Sequence, residues 1–148
     1  MPVSEADDVV MAIDPGRAKC GVAVVRRAAG ATAPDSEAFE ILHRDVVTAP
    51  RIGSVMAELV SRFSPDVILI GDGTAASDAL EAAKQLGAAR VALVDEKFSS
   101  LLARKRYFRE NPPRGLRRLI PVSLQTPGRP YDDYVALILA ERYLSPNP

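Results

Sequence analysis

The chain has 148 residues, a formal net charge of zero and 47% hydrophobic residues, a composition typical of a globular protein with a substantial core. No apolar run is long enough to cross a membrane and the acidic N-terminus lacks the layout of a signal peptide, so we expect a cytoplasmic protein. The single cysteine, Cys20, excludes an internal disulfide and a cysteine-based zinc site.

Apolar periodicity and turn residues divide the chain into nine regular elements. In chain order the predicted elements are three strands at 9–14, 20–27 and 38–47, a helix at 52–63, a strand at 66–71, a helix at 76–87, a strand at 89–95, and helices at 99–110 and 132–144. This order predicts an α/β fold with a mixed five-stranded sheet flanked by helices. We expect residues 1–148 to form a single domain, with an ordered core over about 9–144 and a proline-rich loop over 111–131.

Acidic side chains follow three of the predicted strands and open the last helix. They are Asp14, Asp72, the pair Asp95–Glu96 and the pair Asp132–Asp133. If the three strands are parallel neighbours, their carboxyl ends meet at one edge of the sheet. Carboxylates gathered there repel one another unless a cation lies between them, and hard divalent cations such as Mg²⁺ or Mn²⁺ take oxygen ligands. The sequence therefore predicts a metal-dependent active site.

Positive charge is concentrated in one segment, residues 97–131, whose only acid is Glu110. Its basic residues are Lys97, Arg104, Lys105, Arg106, Arg109, Arg114, Arg117, Arg118 and Arg129. The segment has a net charge of +8 and the rest of the chain −8, a separation that can steer a charged partner. Because arginine suits bidentate contact with phosphate, we favour a nucleic-acid surface over a merely solvated one.

Three motifs in order carry a family resemblance. IDPGRAKCGVAVV (13–25) has the spacing Asp-x-Gly-x(4)-Gly-Val-Ala, and VDEKFSSLLAR (94–104) and DDYVALILAERYL (132–144) follow it. On these motifs the chain resembles, over about residues 9–144, the YqgF/RuvC family of ribonuclease H-like nucleases, known as pre-16S ribosomal RNA nucleases or Holliday junction resolvases.

The resemblance implies a sheet ordered 3-2-1-4-5 and phosphodiester cleavage that depends on Mg²⁺ or Mn²⁺. It assigns the family's catalytic acids to Asp14, Glu96 and Asp132. Three features depart from the family pattern: Lys97 replaces an arginine, IGDG (70–73) replaces Val-Gly-Leu-Pro, and Asp133 adds an acid.

The second bridging acid stays open between Asp72 and Glu96. In the implied sheet, strand four adjoins strand one and strand five lies one strand spacing, ~4.8 Å, farther away. Asp72 therefore starts closer to Asp14, whereas Glu96 has the longer side chain and can reach across. We expect Asp14 to bridge two metal ions, with Glu96 and Asp132 completing the site together with Asp72 or Asp133.

Basic and aromatic residues complete the predicted substrate surface. The residues expected to bind phosphates are Arg17, Lys19, Lys97, Arg104, Arg114, Arg117 and Arg118. Tyr107 and Phe108 are among the aromatic candidates for stacking on bases.

We therefore expect a metal-dependent nuclease acting on RNA, of the ribosomal RNA precursor processing type, and on single-stranded or branched DNA as further substrates. The alternatives are a Holliday junction resolvase that acts as a dimer, and a nucleic-acid-binding module without catalysis. The expected partner is nucleic acid and not a membrane, with the protein a monomer or a homodimer.

Overall fold

The structure is a computed structural model that describes residues 8–27, 39–73, 75–87, 89–95, 99–112, 115, 119 and 132–144. The strands are β1 (Val9–Asp14), β2 (Lys19–Arg27), β3 (Phe39–Thr48), β4 (Val67–Gly71) and β5 (Arg90–Val94). The helices are α1 (Ile52–Phe63), α2 (Ala76–Leu86), α3 (Ser99–Glu110) and α4 (Asp132–Leu144). Every predicted element is confirmed to within one residue. A short 3₁₀ helix, Ala49–Arg51, was not predicted and leads into α1.

The five strands form one mixed sheet in the order β3-β2-β1-β4-β5. β2 runs antiparallel to both β1 and β3, whereas β1, β4 and β5 are parallel. The fold class and the sheet order implied by the sequence motifs are thus confirmed. The parallel strands are joined through helices, as parallel connections require.

The strands at the centre of the sheet are buried on both faces. All five residues of β4 are buried, and in β1 the residues from Val10 to Ile13 are fully buried. A strand covered on both sides needs apolar residues at every position, which is why VILIG shows no polar alternation.

Helices cover the two faces of the sheet with separate apolar clusters. On one face α1 and α2 pack on Met11, Ile13, Ile68 and Ile70. On the other face α4 packs on Val10, Ala12, Ala23 and Leu69. Helix α3 lies against α4, where Ala103 packs on Tyr134 and Val135. Because α4 contacts both the sheet and α3, it is apolar around most of its circumference.

Two residues with positive φ end the first two helices. Ser64 (φ 47°) follows α1 and Gly87 (φ 63°) follows α2, both in the left-handed conformation. Glycine adopts this conformation at little cost. Gly87 was the predicted end of α2. Among the described residues, no helix has the length and apolar character needed to span a bilayer.

Candidate active site

The parallel strands bring the predicted acidic positions to one edge of the sheet. Ile13 of β1 is in register with Ile70 of β4, and Gly71 of β4 with Val94 of β5. The backbone N–H of Asp72 donates to the carbonyl oxygen of Val94 at 2.9 Å, which continues the pairing one residue past β4. Asp14, Asp72 and Asp95 therefore leave the sheet at the same edge, as expected for the carboxyl ends of parallel neighbours.

The pleat of the strands assigns Asp14 and Asp72 to opposite faces of the sheet. Successive side chains of a strand point to opposite faces. In β1, Val10 and Ala12 lie in the α4-side cluster, so Asp14 belongs to the same face. In β4, Ile68 and Ile70 lie in the cluster under α1 and α2, and position 72 continues that series. Asp14 thus shares its side of the sheet with α4, while the alternation of β4 directs Asp72 to the other side.

Helix α4 crosses the sheet diagonally from β3 to β5. At its start, Oδ2 of Asp133 lies 4.0 Å from Nε of Arg44 in β3. Near its end, Nη2 of Arg90 in β5 donates to the hydroxyl of Tyr143 at 2.6 Å. The helix begins at Asp132, so this residue and Asp133 lie in the first turn, where negative charge is favoured by the helix dipole.

A turn with close backbone contact follows Asp14 directly. A Cβ on Gly16 would lie 2.3 Å from the carbonyl oxygen of Lys19, so any side chain there would force the turn open. Glycine at this position follows from steric contact and not from a positive φ. Arg17 and Lys19, both predicted phosphate ligands, are exposed on this turn.

A cleft of about 580 Å³ opens beside the same turn. It lies between the Gly16–Cys20 segment and the starts of α1 and α2, and Arg17, Ile52 and Ser77 are among the residues that line it. The cleft has the size of a small-molecule site. Arg17 therefore borders this cleft and lies three residues after Asp14 in the chain.

Several predicted site residues fall outside the part of the chain that the structure describes. These are Glu96, Lys97, Arg114, Arg117 and Arg118, together with the side chains of Arg104 and Asp132. Within the described residues, no group of three His, Cys, Asp or Glu side chains is close enough to hold a metal ion.

Two members of the basic and aromatic set are structural. Arg106 is buried between α3 and α4, where its Nη1 lies 2.5 Å from Oε2 of Glu141. Burial raises the pKa of Glu141, and the charge and hydrogen bond of Arg106 oppose that rise only in part. Phe108 is 8% exposed and contacts Tyr107 edge to face, so little of its ring is open for stacking on bases.

A polar network that sequence reasoning missed ties α4 to its neighbours. The hydroxyl of Tyr134 donates to Oε2 of Glu110 at 2.5 Å, and Nη1 of Arg44 lies 3.8 Å from the same oxygen. One member of this network could have been found from the sequence. Glu141, which is linked to Glu110 through Arg106, is a charged residue inside the apolar stretch YVALILAERYL. Arg44 gave no such signal, because β3 is an edge strand with many exposed positions.

No family model and no curated protein matches the chain, but solved structures do. RuvC of Thermus thermophilus is 20% identical and aligns with a TM-score of 0.56, over 90% of this chain and 91% of that one. T. thermophilus RuvC in complex with a Holliday junction substrate is 24% identical, with a TM-score of 0.54 and 90% of both chains covered. The chain has the RuvC fold. The RuvC likeness agrees with the ribonuclease H-like core and the sheet order implied by the three motifs.

Proposed function

We propose that the chain is a metal-dependent nuclease that hydrolyses phosphodiester bonds. The observation that carries this proposal is the position of Asp14. It ends β1 at the edge of the sheet where β4 and β5 also end, and it shares a face with α4, the helix that Asp132 opens. The RuvC fold supports the proposal, since two solved structures of T. thermophilus RuvC align over nine-tenths of the chain.

The donor set that we propose for the metal is Asp14, Glu96 and Asp132. These side chains offer only carboxylate oxygens, which suit Mg²⁺ or Mn²⁺ and not a softer ion. Glu96 follows Val94 of β5 by two positions, and Val94 packs in the α4-side cluster. The alternation of β5 thus favours Glu96 over Asp72 as a companion of Asp14, and Asp72 becomes the second choice.

Each residue has a role in the proposed reaction. Bound divalent cations would lower the pKa of a water nucleophile and stabilise the leaving oxygen. Asp14, Glu96 and Asp132 would hold the cations. Arg17 and Lys19, exposed on the turn after β1, would orient the phosphate beside the scissile bond. The remaining basic residues of segment 97–131 would bind the backbone farther along, independent of sequence.

For the substrate we propose RNA, as in ribosomal RNA precursor processing, with a four-way DNA junction as the second candidate. One observation supports the junction as a candidate: T. thermophilus RuvC, which has the same fold, was solved with a Holliday junction substrate. A resolvase needs two active sites related by a two-fold axis, so it would act as a dimer.

One panel of reactions tests the proposal. Labelled single-stranded RNA, single-stranded DNA and a four-way junction are each incubated with Mg²⁺, Mn²⁺ or a chelator, and the oligomeric state is measured by analytical ultracentrifugation. We expect cleavage of RNA with either metal and none with chelator. Paired, symmetric cuts in the four-way junction by a dimer would mean that the protein resolves junctions and does not process RNA. Binding without cleavage of any substrate would leave only a nucleic-acid-binding module.

A further inference from the structure

Given the proposed nuclease function, on which this inference rests, we propose that Arg44 is a positioning residue for the metal site. Arg44 lies in β3, outside all three sequence motifs, and it contacts the first turn of α4. Through Asp133 and Tyr134 it holds the helix start that carries Asp132. It acts on the metal site without itself binding metal or substrate.

The sheet register places Arg44 under α4. Arg44 pairs with Ala23 of β2, and Ala23 pairs with Ala12 of β1, so the three residues form one row across the sheet. Ala12 and Ala23 both belong to the cluster that packs against α4. Paired residues share a face, so the Arg44 side chain rises on the α4 side, as does Asp14 two residues beyond Ala12.

The guanidinium of Arg44 contacts three side chains on two helices. Nε lies 4.0 Å from Oδ2 of Asp133, and Nη1 lies 3.8 Å from Oε2 of Glu110. Cζ lies 4.9 Å from the centre of the Tyr134 ring, a cation–π contact. Arg44 therefore joins β3 to the first turn of α4 and to the last residue of α3.

The contact between Arg44 and Asp133 matters because Asp133 is buried. Asp133 is 4% exposed and Tyr134 is 1% exposed, so both are held inside the protein while Arg44 retains some access to water. Removing the cation would take a positive neighbour away from a buried carboxylate, which is the costly direction for buried charge. The first turn of α4 would then shift to rehydrate Asp133.

Such a shift bears directly on Asp132, the residue that immediately precedes Asp133 in the chain. A metal site works only when its ligands are held within about half an ångström of their required positions. Loss of the Arg44 charge would by itself favour a bound cation. The displacement of Asp132 is therefore the effect that predicts weaker metal binding, and not merely lower stability, when Arg44 is replaced.

The test measures Mn²⁺ binding by calorimetry without substrate, alongside the Mg²⁺ concentration that gives half-maximal cleavage. Arg44→Met keeps much of the stem and removes the charge, and it should weaken Mn²⁺ binding about tenfold, the lower end of the range for residues that support metal ligands. Arg44→Lys should recover part of the loss. The control is Arg26→Met, which removes an exposed arginine paired with Glu40 on the same two strands and should leave Mn²⁺ binding unchanged.

A double variant checks the route through Asp133. If Arg44 acts through Asp133, Asp133→Asn added to Arg44→Met causes no further loss of Mn²⁺ affinity, because coupled residues are not additive. A further loss would overturn this route and make Asp133 a ligand in its own right.

The remaining outcomes separate this inference from the proposed function. Unchanged Mn²⁺ affinity in folded Arg44→Met overturns the role of Arg44, and if that variant does not fold, unchanged affinity in Arg44→Gln does the same. If the wild-type protein binds Mn²⁺ but cleaves no nucleic acid, the proposed nuclease function is overturned, while the Mn²⁺ affinities of the Arg44 variants still test the role of Arg44. Wild-type protein that binds no Mn²⁺ overturns both.

Discussion

Nη1 of Arg106 lies 2.5 Å from Oε2 of Glu141, an ion pair that holds α3 against α4 inside the protein. Nε of Arg106 also lies 3.8 Å from Oε1 of Glu110. A guanidinium held by two carboxylates and buried from water is not available to a phosphate. One of the nine basic residues in segment 97–131 therefore stabilises the fold and does not form part of a substrate surface.

The pH dependence of stability should report on Glu141. Burial raises the pKa of this carboxyl above its ordinary value of 4.5 in the folded protein. The folded state thus holds the proton more tightly than the unfolded state, and stability is lost as the pH rises through the raised pKa. We expect the free energy of unfolding of the wild type, relative to Glu141→Gln, to fall as pH rises from 4 to 7. Urea unfolding of both proteins over this pH range measures the difference. A relative stability that increases with pH would mean that the attraction of Arg106 for the ionised carboxylate outweighs the effect of burial on the pKa of Glu141.

Asp14→Asn should abolish cleavage and leave the fold and much of the nucleic-acid binding intact. The change is nearly isosteric but removes the charge that we expect to hold the metal ions. Without metal, the unfolding temperature should equal or exceed that of the wild type, because like charges at the sheet edge repel. Cleavage at the wild-type rate by the purified Asn variant, with contaminating nuclease excluded, would contradict the metal-site proposal.

Asp72→Asn and Glu96→Gln distinguish the two candidates for the second bridging acid. The alternation along β4 and β5 puts Asp72 on the face opposite Asp14, so we expect Asp72→Asn to retain most activity and Glu96→Gln to lose it. Initial cleavage rates at saturating Mg²⁺ give the comparison. Equal loss in the two variants would mean that Asp72 reaches around the sheet edge into the site.

Replacing Arg114, Arg117 and Arg118 together with alanine should weaken binding to all nucleic acids with little change in sequence preference. Each lost phosphate contact should make the plot of log affinity against log salt shallower by roughly 0.7 to 0.9 units, depending on strand type. Fluorescence anisotropy over a salt series measures this slope. The matched control is Arg26→Ala with Arg62→Ala, two arginines in exposed ion pairs, and an unchanged slope in the triple variant would place its arginines away from substrate.

Two glycine substitutions test the turn that follows Asp14. Gly16→Ala brings a Cβ within 2.3 Å of a backbone oxygen and should cost about 1–3 kcal/mol as overpacking, with lower activity because Asp14 and Arg17 flank the turn. Gly53→Ala is the control, since Gly53 lies in the first turn of α1 and its Cβ would meet only the Cβ of Ala82 in α2, at 3.9 Å. It should stabilise the protein by up to about 1 kcal/mol. Similar unfolding curves for the two variants would show that the turn relaxes freely.

Local patterns in the sequence were sufficient to predict the elements and their bounds. The apolar run of β4, the helical spacing of α1 and the glycine after α2 each depend on residues close together in the chain, so the sequence carries that information directly. The same holds for the acids at strand ends, because a polar residue that interrupts a buried run marks where the strand leaves the core. With the three motifs, this was enough to predict the sheet order and the edge at which Asp14 lies.

Only the tertiary structure decided which charged residues meet. Arg44 reaches Asp133 and Arg106 reaches Glu141 from separate elements, and nothing near either arginine in the sequence distinguishes it from exposed neighbours such as Lys105. The faces taken by Asp14 and Asp72 likewise required the register of β1 against β4. Pairings of this kind depend on how distant segments pack, because the free energy of a buried charge is set by what surrounds it in space and not by its sequence neighbours.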